Sequence, residues 1–315
     1  MDRGLGPRRV VRGVRGGDAV KRSATFFFLL AAFLAGAAAG SPLTVLYTND
    51  LHVRLERLES LGHLVAEERE TGAPVLLVDA GDTWQDFRSP LSAVWGADAM
   101  VAWMNRVGYS AMALGNHEFY LGADRLAELG GEARFDVLCA NLHPCGDFAP
   151  LFLPYSTVSC GDLRVLLVGL VTSELLPYGE FPWLRYEDPA AALAAVLDER
   201  RGTADLVVVL CHLPVAEARG LAADVPGVGL FVTGHSHEET REPVRVGDSL
   251  IVQAGSFGRT LGRLRLDVDG AARTVRVVDS SLLETEEAPV EVNRGLVRLL
   301  QVVFLMGALF LLFLL

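Results

Sequence analysis

Cysteine is scarce, with four in 315 residues. So few bridges cannot hold together a body of this size, which excludes a disulfide scaffold. No thiolate cluster is present to compete for a soft metal. Cys139 and Cys145 flank the loop NLHPCGD and either pair in an oxidising compartment or stand as free thiols. Cys160 and Cys211 lie near apolar runs and read as small core residues. Positive charge is scarce too. The net charge is −11, and the first 22 residues hold seven Lys/Arg against two Asp, so the remainder carries about −16. Such a body binds nucleic-acid backbone poorly, and no nucleic-acid polymer is expected as a partner. Small phosphorylated substrates stay open, because a bound cation dominates its local field. Internal repeats are missing, and so is low complexity apart from alanine-rich patches.

Apolar residues are abundant, at 51%, enough for one large core or two small ones. Two apolar runs lie at the ends. Basic residues precede FFFLLAAFLAGAAAG, so residues 1–40 read as a basic n-region and signal peptide, or as an N-terminal anchor. No cysteine stands at the expected cleavage site, which excludes a lipid-anchored one. The stretch LLQVVFLMGALFLLFLL, 299–315, carries no charge, and residues 296–315 read as a transmembrane segment. An acidic linker, 280–295, would join it to a domain at 41–279. These features predict a membrane-anchored, extracytoplasmic protein, in the periplasm or at the cell surface.

Between the ends, one theme repeats. LTVLYTNDLH, PVLLVDAGD, YSAMALGNHE, FDVLCANL, LRVLLVGLV, DLVVVLCHLP and VGLFVTGHSH are short apolar runs that end in polar residues. Helical patterns lie between several of them. Leu55, Leu58, Leu61 and Val65 share one side of the first, WGADAMVAWMNRVG ends at Gly108, and an alanine-rich helix spans Pro189 to Arg201. Near-continuous apolar strands separated by helices predict sheets buried on both faces. Later, SLIVQAGSFGRTLGRLRLDVD and ARTVRVVDSS read as strands joined by turns. The fold class is α/β, a sandwich of mixed sheets flanked by helices.

The polar strand ends share a chemistry. They supply Asp50 and His52, Asp82, Asn116 and His117, His212, and finally His235 and His237 of TGHSHEET. Open α/β sheets place their sites outside the carboxyl ends of strands. Taken singly, each residue has a structural alternative. Asp50 and Asp82 could cap helices, Asn116 could turn the chain, His52 and His212 could be satisfied polar groups near the core, and His235 and His237 could form an ordinary surface turn. Taken together, imidazole, carboxylate and amide oxygen suit Mn, Zn, Fe, Co or Ni. Asp50, His52, Asp82, Asn116, His212, His235 and His237 are too many for one tetrahedral ion. Two divalent metal ions sharing a carboxylate account for them, and such a pair favours phosphoester hydrolysis. Glu118 reads as a helix-start residue or as a group that orients a histidine. His63, on the first helix, and His143, in a loop, match no ligand pattern.

In that order YTNDLH, DAGD, GNHE, CH and GHSH resemble the signatures of calcineurin-like metallophosphoesterases. TNDLH, ALGNHEF and VQAGSFGRTLGRLRLDVD resemble the 5'-nucleotidase and 2',3'-cyclic phosphodiesterase branch, over about Leu43 to Asp269. The resemblance implies a metallophosphoesterase-like β-sandwich. It implies that Asp50, His52, Asp82 and His237 hold one metal, and that Asp82, Asn116, His212 and His235 hold the other. His117 would contact a phosphoryl oxygen or protonate the leaving group, and a metal-bound hydroxide would be the nucleophile. The substrate would be a small phosphorylated molecule, a nucleotide by resemblance. The alternatives are another small ester, or a catalytically weak cell-surface binding protein that keeps the fold.

The chain departs from the family in three places. Tyr120 stands where an aspartate would pair with His117, and Val53 stands where a glycine is usual. The third concerns a second domain, which in nucleotidases stacks aromatic residues on the base; the linker and tail leave it no room. Trp84, Phe87, Tyr120, Phe152, Tyr155, Tyr178, Phe181, Trp183 and Phe257 are the aromatic candidates for a cleft, with core packing as the competing role.

Overall fold

The computed structural model describes Met1 and residues 40–86, 96–145, 152–174 and 184–289. The chain divides into two units, Met1–Ala39 and Gly40–Leu315. The second unit carries the two sheets.

Two six-stranded sheets make the frame. The first has the order β14-β13-β1-β2-β3-β4. Strands β1 (Ser41–Thr48), β2 (Val75–Asp79), β3 (Ala111–Ala113) and β4 (Asp136–Leu138) are all parallel, with β4 at the edge. An antiparallel hairpin, β13 (Thr260–Asp269) and β14 (Thr274–Glu284), flanks β1. The second sheet runs β11-β12-β10-β9-β7-β6. Here β7 (Leu163–Val171), β9 (Leu206–His212), β10 (Leu230–Thr233) and β12 (Ser249–Val252) are parallel. Both edges, β6 (Tyr155–Cys160) and β11 (Val244–Val246), are antiparallel. A small ribbon pairs β5 (Leu142–Pro144) with β8 (Leu184–Tyr186).

The apolar strands bury both faces because alternate residues enter different cores. Val45, Tyr47, Leu76, Val78, Val165, Leu167, Val208 and Leu210 meet between the sheets. Leu46, Leu77 and Met112 point the other way, against α1 (Leu58–Glu70), α2 (Ala97–Val107) and α3 (Ala123–Glu132). Leu166, Val168, Val209 and Cys211 pack on α4 (Pro189–Glu199) and α5 (Val215–Asp224). Each buried Leu or Val contributes about 1.5–3 kcal/mol, so three layers of them fix the strand ends firmly. The expected mixed α/β sandwich is thus present. Gly108 closes α2 at φ 79°, as its sequence position predicts.

Some expectations change. All four cysteines are free, with Cys145 exposed and the others buried, so Cys139 and Cys145 form no bridge. Residues 280–284, expected in the linker, belong to β14 because they pair with 260–264 of β13. The membrane attachment is corrected. Among the described residues no helix is long and apolar enough to cross a membrane. The longest helix among the described residues, α1, has 13 residues, against about 20 for a span. Membrane anchoring and the extracytoplasmic location drawn from it therefore have no support in the described structure. The stretches that suggested them, 2–39 and 296–315, lie outside the described residues. So do Phe87, Tyr178, Phe181 and Trp183.

Candidate metal centre

Five parallel strands, β1, β2, β3, β9 and β10, send their carboxyl ends to one place. Asp50 and His52 follow β1, Asp82 follows β2, and Asn116 and His117 follow β3. His212 ends β9, and His235 and His237 follow β10. All eight residues come together. Asp50, His52 and His237 form one group of potential ligand atoms, and Asp82, His212 and His235 form another. His52, Asp82 and His117 form a third.

The Asp82 Oδ2 atom lies at the middle. It stands 3.1 Å from His212 Nε2, 3.8 Å from His117 Nε2 and 3.9 Å from His52 Nε2. Asp50 Oδ1 lies 3.4 Å from His237 Nε2 and 3.9 Å from His52 Nε2. On the other side, His235 Nδ1 faces Asn116 Oδ1 at 3.1 Å.

Backbone strain concentrates here. Asp50, His52, Asp82, His235 and His237 all have φ between 47° and 71°. Left-handed backbone costs a residue with a Cβ on the order of 1–3 kcal/mol, and persists only where its surroundings enforce it. Glycines let the loops touch. A Cβ on Gly115 would lie 2.1 Å from Asp82 Oδ1, and one on Gly81 would lie 2.6 Å from the Gly115 nitrogen. The DAGD and GNHE loops press together at these two positions.

Hydrogen bonds set the imidazole protons. His212 Nδ1 faces the Ala80 carbonyl at 2.8 Å, and His52 Nδ1 faces the Gln85 carbonyl at 3.3 Å. A carbonyl only accepts, so those nitrogens carry protons, and in the neutral rings the Nε2 atoms keep their lone pairs. His235 is reversed. Its Nε2 faces the Glu174 carboxylate at 3.0 Å, which leaves Nδ1 with its lone pair toward Asn116. Electron-rich atoms therefore face one another at His235 Nδ1 and Asn116 Oδ1, and His52 Nε2 lies 3.2 Å from His237 Nε2. His212 Nε2 is buried and makes no aligned hydrogen bond despite its closeness to Asp82. Converging lone pairs of this kind fit divalent cations, and the donor set excludes a purely thiophilic ion.

The electrostatics distinguish the two rings. Burial pushes His52 down to about 4, against the pull of Asp82 and Asp50. Burial also pushes His212 down, but the charge on Asp82, their contact and Asp50 together lift it to about 10. Burial raises Asp82, and the charges of His212, His117 and His52 outweigh it, holding the carboxyl below its ordinary range.

Several supporting residues had weak sequence signals. Asn49 donates from Nδ2 to Asp50 Oδ2 at 2.7 Å and to the Gly255 carbonyl, and accepts from the Ala254 nitrogen at 2.8 Å. Its presence inside TNDLH was the only clue. Glu174 carried none. Glu118 orients no histidine ring: its carboxylate takes backbone N–H groups instead. Burial and the charge on Asp82 raise its affinity for a proton, against N–H bonds from Trp84 and Gly115. Phe257 borders the centre, with its ring 5.3 Å from His52 and 5.2 Å from His237. Trp84 is fully buried and belongs to the core. His143 pairs with Glu187, away from the eight residues grouped above.

The comparisons place this geometry. The Calcineurin-like phosphoesterase family matches residues 43–239. The chain is 31% identical to human 5'-nucleotidase over 335 aligned positions, which cover 89% of this chain and 57% of that protein. A 5'-nucleotidase precursor from Thermus thermophilus superposes with a TM-score of 0.72 at 29% identity, over 78% of this chain and 54% of that one. The calcineurin-like phosphoesterase YfkN from Bacillus subtilis shares the fold, with a TM-score of 0.67 at 20% identity over 79% and 91% of the two chains. The chain spans little more than half the length of the nucleotidases it matches. By motif order, strand topology and the grouping of its carboxylates and imidazoles, it belongs to the calcineurin-like phosphoesterase family, in the 5'-nucleotidase-like branch.

Proposed function

We propose that the chain hydrolyses phosphate esters with two divalent cations, and that its substrates are nucleotides. Asp50, His52, Asp82 and His237 would hold one cation, and Asp82, Asn116, His212 and His235 the other. The observation that carries this reading is the position of Asp82 Oδ2 among three histidine nitrogens, 3.1–3.9 Å away. A carboxylate so placed can serve both sides. When bound, two such cations activate water near neutral pH and neutralise phosphoryl oxygens.

The chain's own residues do the rest. The carbonyls of Ala80 and Gln85 keep the His212 and His52 rings in the tautomer that presents Nε2. Asn49 and the His235 nitrogen hold the Asp50 carboxylate. His117 is partly exposed, with its Nε2 3.8 Å from Asp82 Oδ2. It would contact a phosphoryl oxygen or give its proton to the leaving oxygen. Support for nucleotides comes from similarity to 5'-nucleotidases and from the Phe257 ring beside the centre.

The test uses the full chain, stripped with chelator and reloaded with Mn(II). Adenosine monophosphate, a 2',3'-cyclic nucleotide and p-nitrophenyl phosphate are supplied in turn. Metal-dependent phosphate release with a preference for the nucleotides is expected. Bound metal with no turnover of any ester would overturn the enzymatic reading. Turnover of p-nitrophenyl phosphate alone would overturn the substrate.

A further inference from the structure

Glu118 has no part in the chemistry above, yet it is fully buried and its carboxylate accepts four backbone N–H bonds. Oε2 accepts from Asp82 at 3.0 Å and from Gly115 at 2.8 Å. Oε1 accepts from Thr83 at 2.8 Å and from Trp84 at 2.9 Å. Asp82 reciprocates, since its Oδ1 accepts from the His117 nitrogen at 2.8 Å. The loops after β2 and β3 therefore clasp each other, each through a carboxylate set on the other's backbone.

The clasp has a direction. Asp82 has φ 56°, a conformation that needs outside enforcement. Three of the four donors, the nitrogens of 82, 83 and 84, are consecutive and converge on one side chain. With Oδ1 tied to His117, Oδ2 is the oxygen left to face His52, His117 and His212. The Glu118 carboxylate takes donors only from the two loops that carry Asp82, Asn116 and His117. Burial favours a proton on Glu118, but four N–H donors occupy its lone-pair positions, and a carboxyl hydrogen would point into one of them.

We propose that Glu118 is the positioning residue of the metal centre, fixing the Asp82 backbone so that Oδ2 stands between the histidines before any cation arrives. This rests on the reading of Asp82 as the shared ligand.

The test is Mn(II) binding to the full chain, followed by calorimetry and by electron paramagnetic resonance. In Glu118→Gln the amide keeps the volume but turns an NH2 toward two N–H donors. Affinity for Mn(II) is expected to fall about ten- to a hundredfold. The spin-coupled signal of a neighbouring pair should give way to that of isolated ions. Leu193→Ala, a core truncation in α4, should lower thermal stability without changing affinity or coupling. A Glu118→Gln protein with wild-type affinity and coupling would overturn the proposal. If that variant does not fold, amide hydrogen exchange in the metal-free wild type decides. Protection of the 82, 83, 84 and 115 amides equal to that of β2 supports the preset clasp; exchange at open-loop rates overturns it. Asp82→Asn separates the two readings. Retention of both metals there would overturn the shared ligand itself, whereas loss in Asp82→Asn with a silent Glu118→Gln would overturn Glu118 alone.

Discussion

Tyr120 lies edge-on to His117, with ring centroids 5.3 Å apart and planes at 79°. Where the family has an aspartate, this chain gives the imidazole an aromatic neighbour. A carboxylate stabilises an imidazolium; a phenol ring does so far less. Tyr120→Asp is therefore expected to move the alkaline limb of the pH–rate profile upward by about one pH unit, as a new neighbouring anion does. Recording kcat from pH 6 to 10 for both proteins checks this. An unmoved limb would mean that Tyr120 does not stand in for the carboxylate. Val53 has the same kind of history. Its φ of 56° explains why a glycine is usual there, and its burial in the core beside Leu51 offsets part of the strain. At this scale the residues that converge on the centre were legible, since Asp50, Asp82 and the GHSH histidines carry recognisable spacing. Glu174 was not, because nothing in its neighbourhood of the sequence shows that it meets a histidine 61 residues away.

The turn that follows β2 is gripped from below as well as from the side. Asp79, the last residue of that strand, is fully buried. It accepts from Thr48 Oγ1 at 2.6 Å, from the Gly81 nitrogen at 2.8 Å and from Thr83 Oγ1 at 2.9 Å. Burial lifts it to about 7, only partly opposed by these bonds. An unfolded aspartate titrates near 4, so the fold holds this proton more tightly than the open chain does. That contribution is whole below about pH 4 and is lost as pH rises through 7. Metal-free wild type should therefore lose stability relative to Asp79→Asn over that window, by at most about 1.4 kcal/mol per pH unit. Urea unfolding at a series of pH values measures it, and a difference that stays flat would reject the buried proton. Helices and apolar strands were readable at this scale through their periodicity. The edge strands β6 and β11 were not, because short half-exposed strands have too little apolar contrast to register.

Asp50, His52, Asp82, Asn116 and His117 come from one sheet, and His212, His235 and His237 come from the other. Cations held by both groups would tie the sandwich across its seam. Mn(II) at a hundred times its dissociation constant should stabilise the fold by about 2.7 kcal/mol per site. Thermal melts with and without Mn(II) test this, and Asp82→Asn should remove most of the shift. An undiminished shift would mean that the ions bind elsewhere. The order of the motifs was visible in the sequence, and with it the family. That β1 and β10 meet across two sheets was not, because separation along a chain carries no record of which layers face each other.

The turn joining β13 to β14 lies at the end of the first sheet away from this chemistry. The end of β13 runs beside the start of β1, where Val268 pairs with Ser41, and residues 271–273 are exposed. A fluorescent reporter or affinity handle spliced between Ala271 and Ala272 should leave ester turnover unchanged while marking every copy of the protein. Lost turnover in a folded fusion would show that the two ends of the sandwich communicate. The working edge of this scaffold is crowded, and its opposite edge is open ground for engineering.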